Sequence, residues 1–157
     1  WLINFVEVPH PALGNWAPCP YARKARLQNK YEVRIGKDIE RDLRLFSKTE
    51  FMGNNDVVIF AYPPSMYDDA YFNFIVDVAN TSKGFRKRNF VALGDHPDTV
   101  EEHNGVCFNM GKYALVLVQD KHKLDDHAMH LAKRGYYDNW NEEYLQEVFA
   151  HRKDPRP

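Results

Sequence analysis

Three short apolar runs, at 57–61, 90–93 and 114–118, restrict the folds open to this chain more than anything else in it. Each is continuous rather than alternating and only four or five residues long, as expected of strands covered on both faces. Pro63-Pro64 stops the first. Between the runs the apolar spacing switches to a helical period. Asp38 is placed to cap a helix carrying Ile39, Leu43 and Phe46, and Ser65 followed by Asp68 resembles a capping signal for a second helix. That second helix has the stripe Tyr67, Ala70, Tyr71, Phe74, Ile75, Val78 and Ala79. Upstream, Tyr31, Val33 and Ile35 alternate with Glu32 and Arg34, which predicts a strand near a sheet edge with one wet face. Two further helices are expected at 124–134, ended by Gly135, and at 142–149, introduced by Asn141. Strands alternating with helices predict an α/β layered domain, with a mixed, largely parallel sheet of about four strands and flanking helices.

The same reading sets the domain organisation. Residues 1–150 form a single α/β domain and 151–157 a frayed basic tail. Residues 1–8 suit a short helix or a strand, 9–18 form a turn-rich loop, and Pro20 suits the first position of a short helix at 21–27. With 44% hydrophobic residues a core can form, and a formal charge of −1 lacks the basic excess of a nucleic-acid binder. No apolar run approaches the ~18 residues of a membrane span. The apolar opening has neither a basic leader region nor a small-residue cleavage site, so no signal peptide is expected. Cys19 and Cys107 are too few for a disulfide scaffold; two free thiols in a cytoplasmic location are expected, with Cys107 in the core.

Directly after the apolar run at 90–93 comes a dense set of ionisable side chains, from Asp95-His96-Pro97-Asp98 to Glu101-Glu102-His103-Asn104-Gly105. Long connections without structure of their own are uncommon in compact domains and are usually functional or disordered. The Gly and Pro within this one favour order. If the strands ending at Ala61 and Leu93 are parallel, the loops 62–67 and 94–111 meet at one sheet edge, where open α/β sheets hold ligands. A histidine held by a neighbouring carboxylate is a general base or a metal ligand. His96 is therefore the candidate base and Asp98 the residue that orients it.

Cys19 precedes a helix start and the cations Arg23, Lys24 and Arg26, a setting that lowers a thiol pKa and makes it a candidate nucleophile. The string Cys19-Pro20-Tyr21-Ala22 is similar to the Cys-Pro-Tyr-Cys of glutaredoxins, but Ala22 replaces the second thiol and excludes a two-thiol mechanism. Tyr21, Arg23, Ser65, Asn104 and Asn109 are candidate substrate contacts, Ser65 because helix starts bind anions. Two imidazoles and a carboxylate can hold iron or zinc with an open coordination position, so His96 and His103 are candidate metal ligands, with Glu102 or else Asp95, Asp98 or Glu101 as the carboxylate. His122, Asp126 and His130 share helical spacing but fall opposite the stripe of Leu124, Ala128, Leu131 and Ala132, as a solvated face does.

The order of these motifs resembles an uncharacterised family of bacterial proteins. Its members carry a Trp-containing opening, a Cys-Pro-Phe/Tyr-Ala motif, an apolar strand, an aromatic-rich helix and a His-Pro-Asp loop. The matching pieces here are Trp1 with Val6, Cys19-Pro20-Tyr21-Ala22, 57–61, 68–79 and His96-Pro97-Asp98, which cover about residues 1–120. This chain departs by the Pro-rich residues between Trp1 and Cys19 and by Glu101-Glu102-His103. That family has no established activity, so the resemblance implies a Cys19 and His96 site without naming a reaction.

The expected function is that of a soluble enzyme acting on a small polar or anionic metabolite at a Cys/His/Asp loop site. Two alternatives stand beside it. One is a non-haem iron or zinc enzyme built on the His96–His103 loop. The other is a non-catalytic interaction domain, or a homo-oligomer, using the aromatic C-terminal helices with Tyr136, Tyr137, Trp140, Tyr144 and Phe149. Neither nucleic acid nor a membrane is an expected partner.

Overall fold

The computed structural model describes residues 1–49, 52–109 and 111–156. Four strands, β1 (Tyr31–Ile35), β2 (Val57–Tyr62), β3 (Phe90–Asp95) and a later β6 (Ala114–Asp120), form one mixed sheet in the order β1-β2-β6-β3. β1 and β2 are parallel, and β6 runs antiparallel to both β2 and β3. β1, β2 and β3 therefore point the same way, and their carboxyl ends share one edge of the sheet. The sequence-based expectation of a mixed α/β sheet flanked by helices holds.

Side chains alternate across the sheet, and each face has its own cover. Val58, Phe60, Tyr62, Phe90, Ala92, Ala114, Val116 and Val118 meet helices α2 (Ile39–Thr49), α3 (Asp69–Thr81) and α4 (Lys83–Arg88) in one buried core. Asp38 caps the start of α2 by accepting from the Arg41 N–H at 2.8 Å, as its position predicts. α3 is capped by Asp68, which accepts from the Tyr71 N–H. Ser65 lies instead in a separate 3-10 turn, Pro64–Met66. The buried face of α3 is Phe72, Ile75, Val76 and Ala79, whereas Tyr71, Phe74 and Val78 of the predicted stripe are exposed. That stripe was wide enough to span both sides of the helix. Asn80, also buried, accepts from the Ala92 N–H at 2.8 Å and donates to the Ala92 carbonyl at 2.9 Å, which satisfies the outer edge of β3.

The second face carries the chain ends. Helix α1 (Ala22–Leu27), α5 (Lys121–Ala132), α6 (Glu142–Val148) and a wide helical turn at Leu2–Val6 lie on this side. Leu13, Ala128, Leu131, Tyr136, Trp140, Leu145 and Phe149 make a second core with Trp16, Tyr21, Phe108 and Tyr144 packed against it. The aromatic surplus of the C-terminal helices is thus internal, which removes the motive for reading it as a docking surface. Edge strand β1 inverts its expected pattern. Arg34 lies over the rings of Phe46 and Phe60, while Val33 and Ile35, on the face that the second layer does not reach, are exposed. The tail, expected to fray, is held through residue 156: Arg152 pairs with Asp125 at 3.4 Å and Arg156 bridges Asp154 and Glu142. Among the described residues no helix is long and apolar enough to cross a membrane.

Candidate active site

The ionisable loop after β3 is not irregular. Glu102–His103 (β4) and Val106–Cys107 (β5) pair antiparallel across Asn104 and Gly105, which adopt φ values of 52° and 78°. This is the Asn-Gly signal of a two-residue hairpin, in which both central residues need positive φ. Asn104 also donates to the carbonyls of Ala12 and Asn139, so it stitches the hairpin to both ends of the chain rather than facing a substrate. Cys107, expected in the core, is exposed on β5 because its neighbour Val106 takes the inward position.

Alternation in the hairpin sorts the acidic run. Glu102 points outward and is exposed, while Glu101 and His103 share the inner side. His103 is buried against Tyr144, with ring centroids 3.6 Å apart, and against Phe108 and Trp140. Its Nδ1 faces the Asn141 amide nitrogen at 3.4 Å, and its Nε2 stands 3.6 Å from Glu101, beyond hydrogen-bond reach. Burial lowers the His103 pKa. Glu101 keeps 26% of its side chain exposed. Its pKa is pushed up to about 7, by burial first and then by the charges of Asp95 and Glu147, against hydrogen bonds from Tyr144 and Asn109.

Asp95, the last residue of β3, pairs with Leu115 and so points to the second face. Both its carboxyl oxygens are buried with no hydrogen-bond partner among the described residues, and burial pushes its pKa up to about 6. A carboxylate without donors in such a place favours its neutral form. The Asn109 amide ties this cluster to the neighbouring loop by donating to the His96 carbonyl at 2.8 Å.

The predicted catalytic residues do not come together. His96 is 1% exposed and packs on Phe72 on the first face of the sheet. Its Nε2 lies 3.1 Å from the Tyr67 carbonyl oxygen and its Nδ1 3.2 Å from the Asp98 N–H. A carbonyl only accepts and an N–H only donates, so the proton is on Nε2 and neither nitrogen is free for a substrate or a metal. Asp98 holds the ring through its backbone, and its carboxylate is exposed. Cys19 lies on the other face, in a groove floored by Val57, Ile59 and Leu117, and shares no site with His96. Burial raises its thiol pKa, the reverse of the expected activation, because desolvation outweighs the backbone hydrogen bonds of Tyr21 and Ala22. Arg23 and Ser65 are exposed, and Tyr21 stacks on His127 at 3.9 Å between centroids.

The metal set His96, His103 and Glu102 is likewise dispersed. Among the described residues no group of three or more His, Cys, Asp and Glu is arranged to hold a metal ion. Of the sequence candidates, Asn109 and His103 remain in the site, with Asp95 and Glu101 of the carboxylates offered as metal ligands. Tyr144 joins them, and the Asn104-Gly105 pair was the sequence signal that would have turned Glu101 inward. Compared with protein-family models, curated proteins and solved structures, the chain matches none.

Proposed function

We propose that the chain is an enzyme that moves a proton on a small polar molecule, neutral or cationic, with Glu101 as the group that gives and takes it. The observation that carries this reading is the pairing of a partly exposed Glu101, its pKa pushed up to about 7, and an Asp95 whose buried oxygens have no donor among the described residues. A general acid–base group works best when its pKa lies near the operating pH, and clustered perturbed carboxyls are a recognised feature of such sites. Burial keeps Glu101 protonated towards neutrality, and the charge of Asp95 adds to the effect. Tyr144 and Asn109 hold the carboxyl through hydrogen bonds, and His103 closes the inner side. Asp95 and Glu147 make the local field acidic, which disfavours the anionic substrate expected from sequence and favours an uncharged or cationic one.

The test is a panel of small carbonyl compounds, amides and amines followed by proton NMR in deuterated buffer, with wild type and Glu101→Gln in parallel. The reading expects exchange or turnover of at least one compound, with a rate that inflects near pH 7. Glu101→Gln should lose at least a hundredfold, the general acid–base contribution being roughly 10²–10⁴. Equal activity of Glu101→Gln with intact folding, or a panel in which nothing reacts, overturns it.

A further inference from the structure

The groove that holds Cys19 has a volume of about 400 Å³, within the range of roughly 300–1,000 Å³ that small-molecule sites occupy. It lies on the second face of the sheet and opens toward the edge opposite the carboxyl ends of β1, β2 and β3. None of the groups assigned to the acid–base site lines it. Val57 and Ile59 of β2 register with Gln119 and Leu117 of β6, so the floor is a same-face patch of two strands. Leu2 and Val6 wall one side, and the stacked rings of Tyr21 and His127 wall another. The indole Nε1 of Trp1, also in the lining, is buried with no hydrogen-bond acceptor among the described residues.

The charges at the mouth are uneven. Arg26 is neutralised by Glu7 at 2.8 Å and Lys123 by Asp56 at 3.4 Å. Asp120 is occupied as the cap of α5, where it accepts from the Lys123 N–H at 3.1 Å. Lys24 and Lys30 have no carboxylate within ion-pair distance among the described residues. The groove thus offers an apolar bed, an aromatic wall and two ammonium groups without an ion-pair partner among the described residues. The amides of Gln28 and Gln119 in the lining donate and accept alike, so the two ammonium groups set the sign: the complementary ligand is an anion with an apolar body.

We propose that this groove binds a small carboxylate whose apolar body rests on Ile59 and Leu117 and whose anionic end meets Lys24 and Lys30. The body is either an aromatic ring or an aliphatic chain, and the probes are 2-naphthoate and decanoate for the two cases. The neutral control is 2-naphthamide.

The experiment records nitrogen–proton NMR spectra of the full chain during titration with each probe. One of the two carboxylates should shift the Trp1 indole resonance saturably, at sub-millimolar concentration, while the Trp16 and Trp140 indoles stay in place. The amide should bind at least tenfold more weakly. Lys24→Gln with Lys30→Gln, the first exposed and the second half-buried, should weaken the carboxylate by at least tenfold while the protein still melts cooperatively. Leu117→Phe, which fills the floor, should reduce binding of the larger probe. No saturable shift of Trp1 with either carboxylate overturns the proposal, as does equal affinity for the amide or an unchanged affinity in the double lysine variant. The site stands apart from Glu101, so Glu101→Gln should leave the titration as it is in wild type.

Discussion

Nε2 of His96 and the carbonyl oxygen of Tyr67 lie 3.1 Å apart, which fastens the end of β3 to the loop that follows β2. The contact makes His96 a structural residue. His96→Phe keeps a ring in the same space and leaves the Tyr67 carbonyl and the Asp98 N–H unpaired. It should cost about 2–4 kcal/mol in urea unfolding, since each buried polar group left unmatched costs roughly 1–3 kcal/mol. Asp98→Ala, which removes only an exposed carboxylate, should change stability by less than about 0.5 kcal/mol. Equal effects of the two substitutions would return His96 and Asp98 to a joint role.

The contribution of Asp95 and Glu101 to stability should fall as pH rises from about 4 to about 7.5. The folded pKa values of Asp95 and Glu101, about 6 and about 7, lie above their unfolded values near 4. The folded state therefore binds more protons in that window. The stabilisation is complete below the unfolded pKa values and disappears as pH passes the folded ones. With Glu101 partly exposed and coupled to Asp95, the change is on the order of 1–3 kcal/mol. Glu101→Gln should melt close to wild type at pH 4.5 and above it at pH 8. A melting difference between the two proteins that is constant over that range contradicts the assignment.

The sheet was legible because three of its runs, two central and one at the edge, are apolar throughout, so strand identity and the order of elements followed from 57–61, 90–93 and 114–118. The meeting of the loops 62–67 and 94–111 at the shared carboxyl edge is what the His96–Tyr67 bond shows. Which side chains face the site was less legible. A histidine between two aspartates looks catalytic in one dimension, yet its ring turned toward Phe72 and two backbone groups. Glu101 looked like one of several solvated charges until the hairpin register set it apart from Glu102. Burial then did the rest, and burial depends on Tyr144 from α6, more than 40 positions away. Local chemistry also misled at Cys19: a helix start and three cations argue for a thiolate, but burial desolvates the sulfur more than the Tyr21 and Ala22 backbone and the Arg152 charge compensate.

Gly105 should be the least replaceable residue of the hairpin. Its φ is 78°, and a Cβ there would meet nothing within 4 Å, so the cost of a side chain is purely one of backbone conformation. Gly105→Ala should cost about 1–2 kcal/mol, the penalty of holding an L-residue in the left-handed region. Because the hairpin orients Glu101, the same variant should also move the Glu101 titration toward an ordinary carboxylate. A Gly105→Ala protein as stable as wild type would argue against the turn.

The two thiols should differ in reactivity in the order opposite to that suggested by the Cys-Pro-Tyr motif. Cys107 is exposed, whereas Cys19 is half-buried with its pKa raised by desolvation. Alkylation at pH 7.5 followed by peptide mass mapping should label Cys107 first, by more than tenfold in rate, since the thiolate is the reacting species. Cys107→Ser should abolish the fast phase. Faster labelling of Cys19 would reinstate it as a nucleophile.

The account stands most directly on the carboxyl of Glu101. Carbon-13 labelling of the glutamate side chains, with Glu101→Gln to assign its resonance, gives the titration of that one group in the intact protein. A midpoint between about pH 6 and 8, which moves down in Asp95→Asn, is the predicted result. A midpoint below about pH 5, the range of an ordinary solvated glutamate, would contradict the proposed acid–base role.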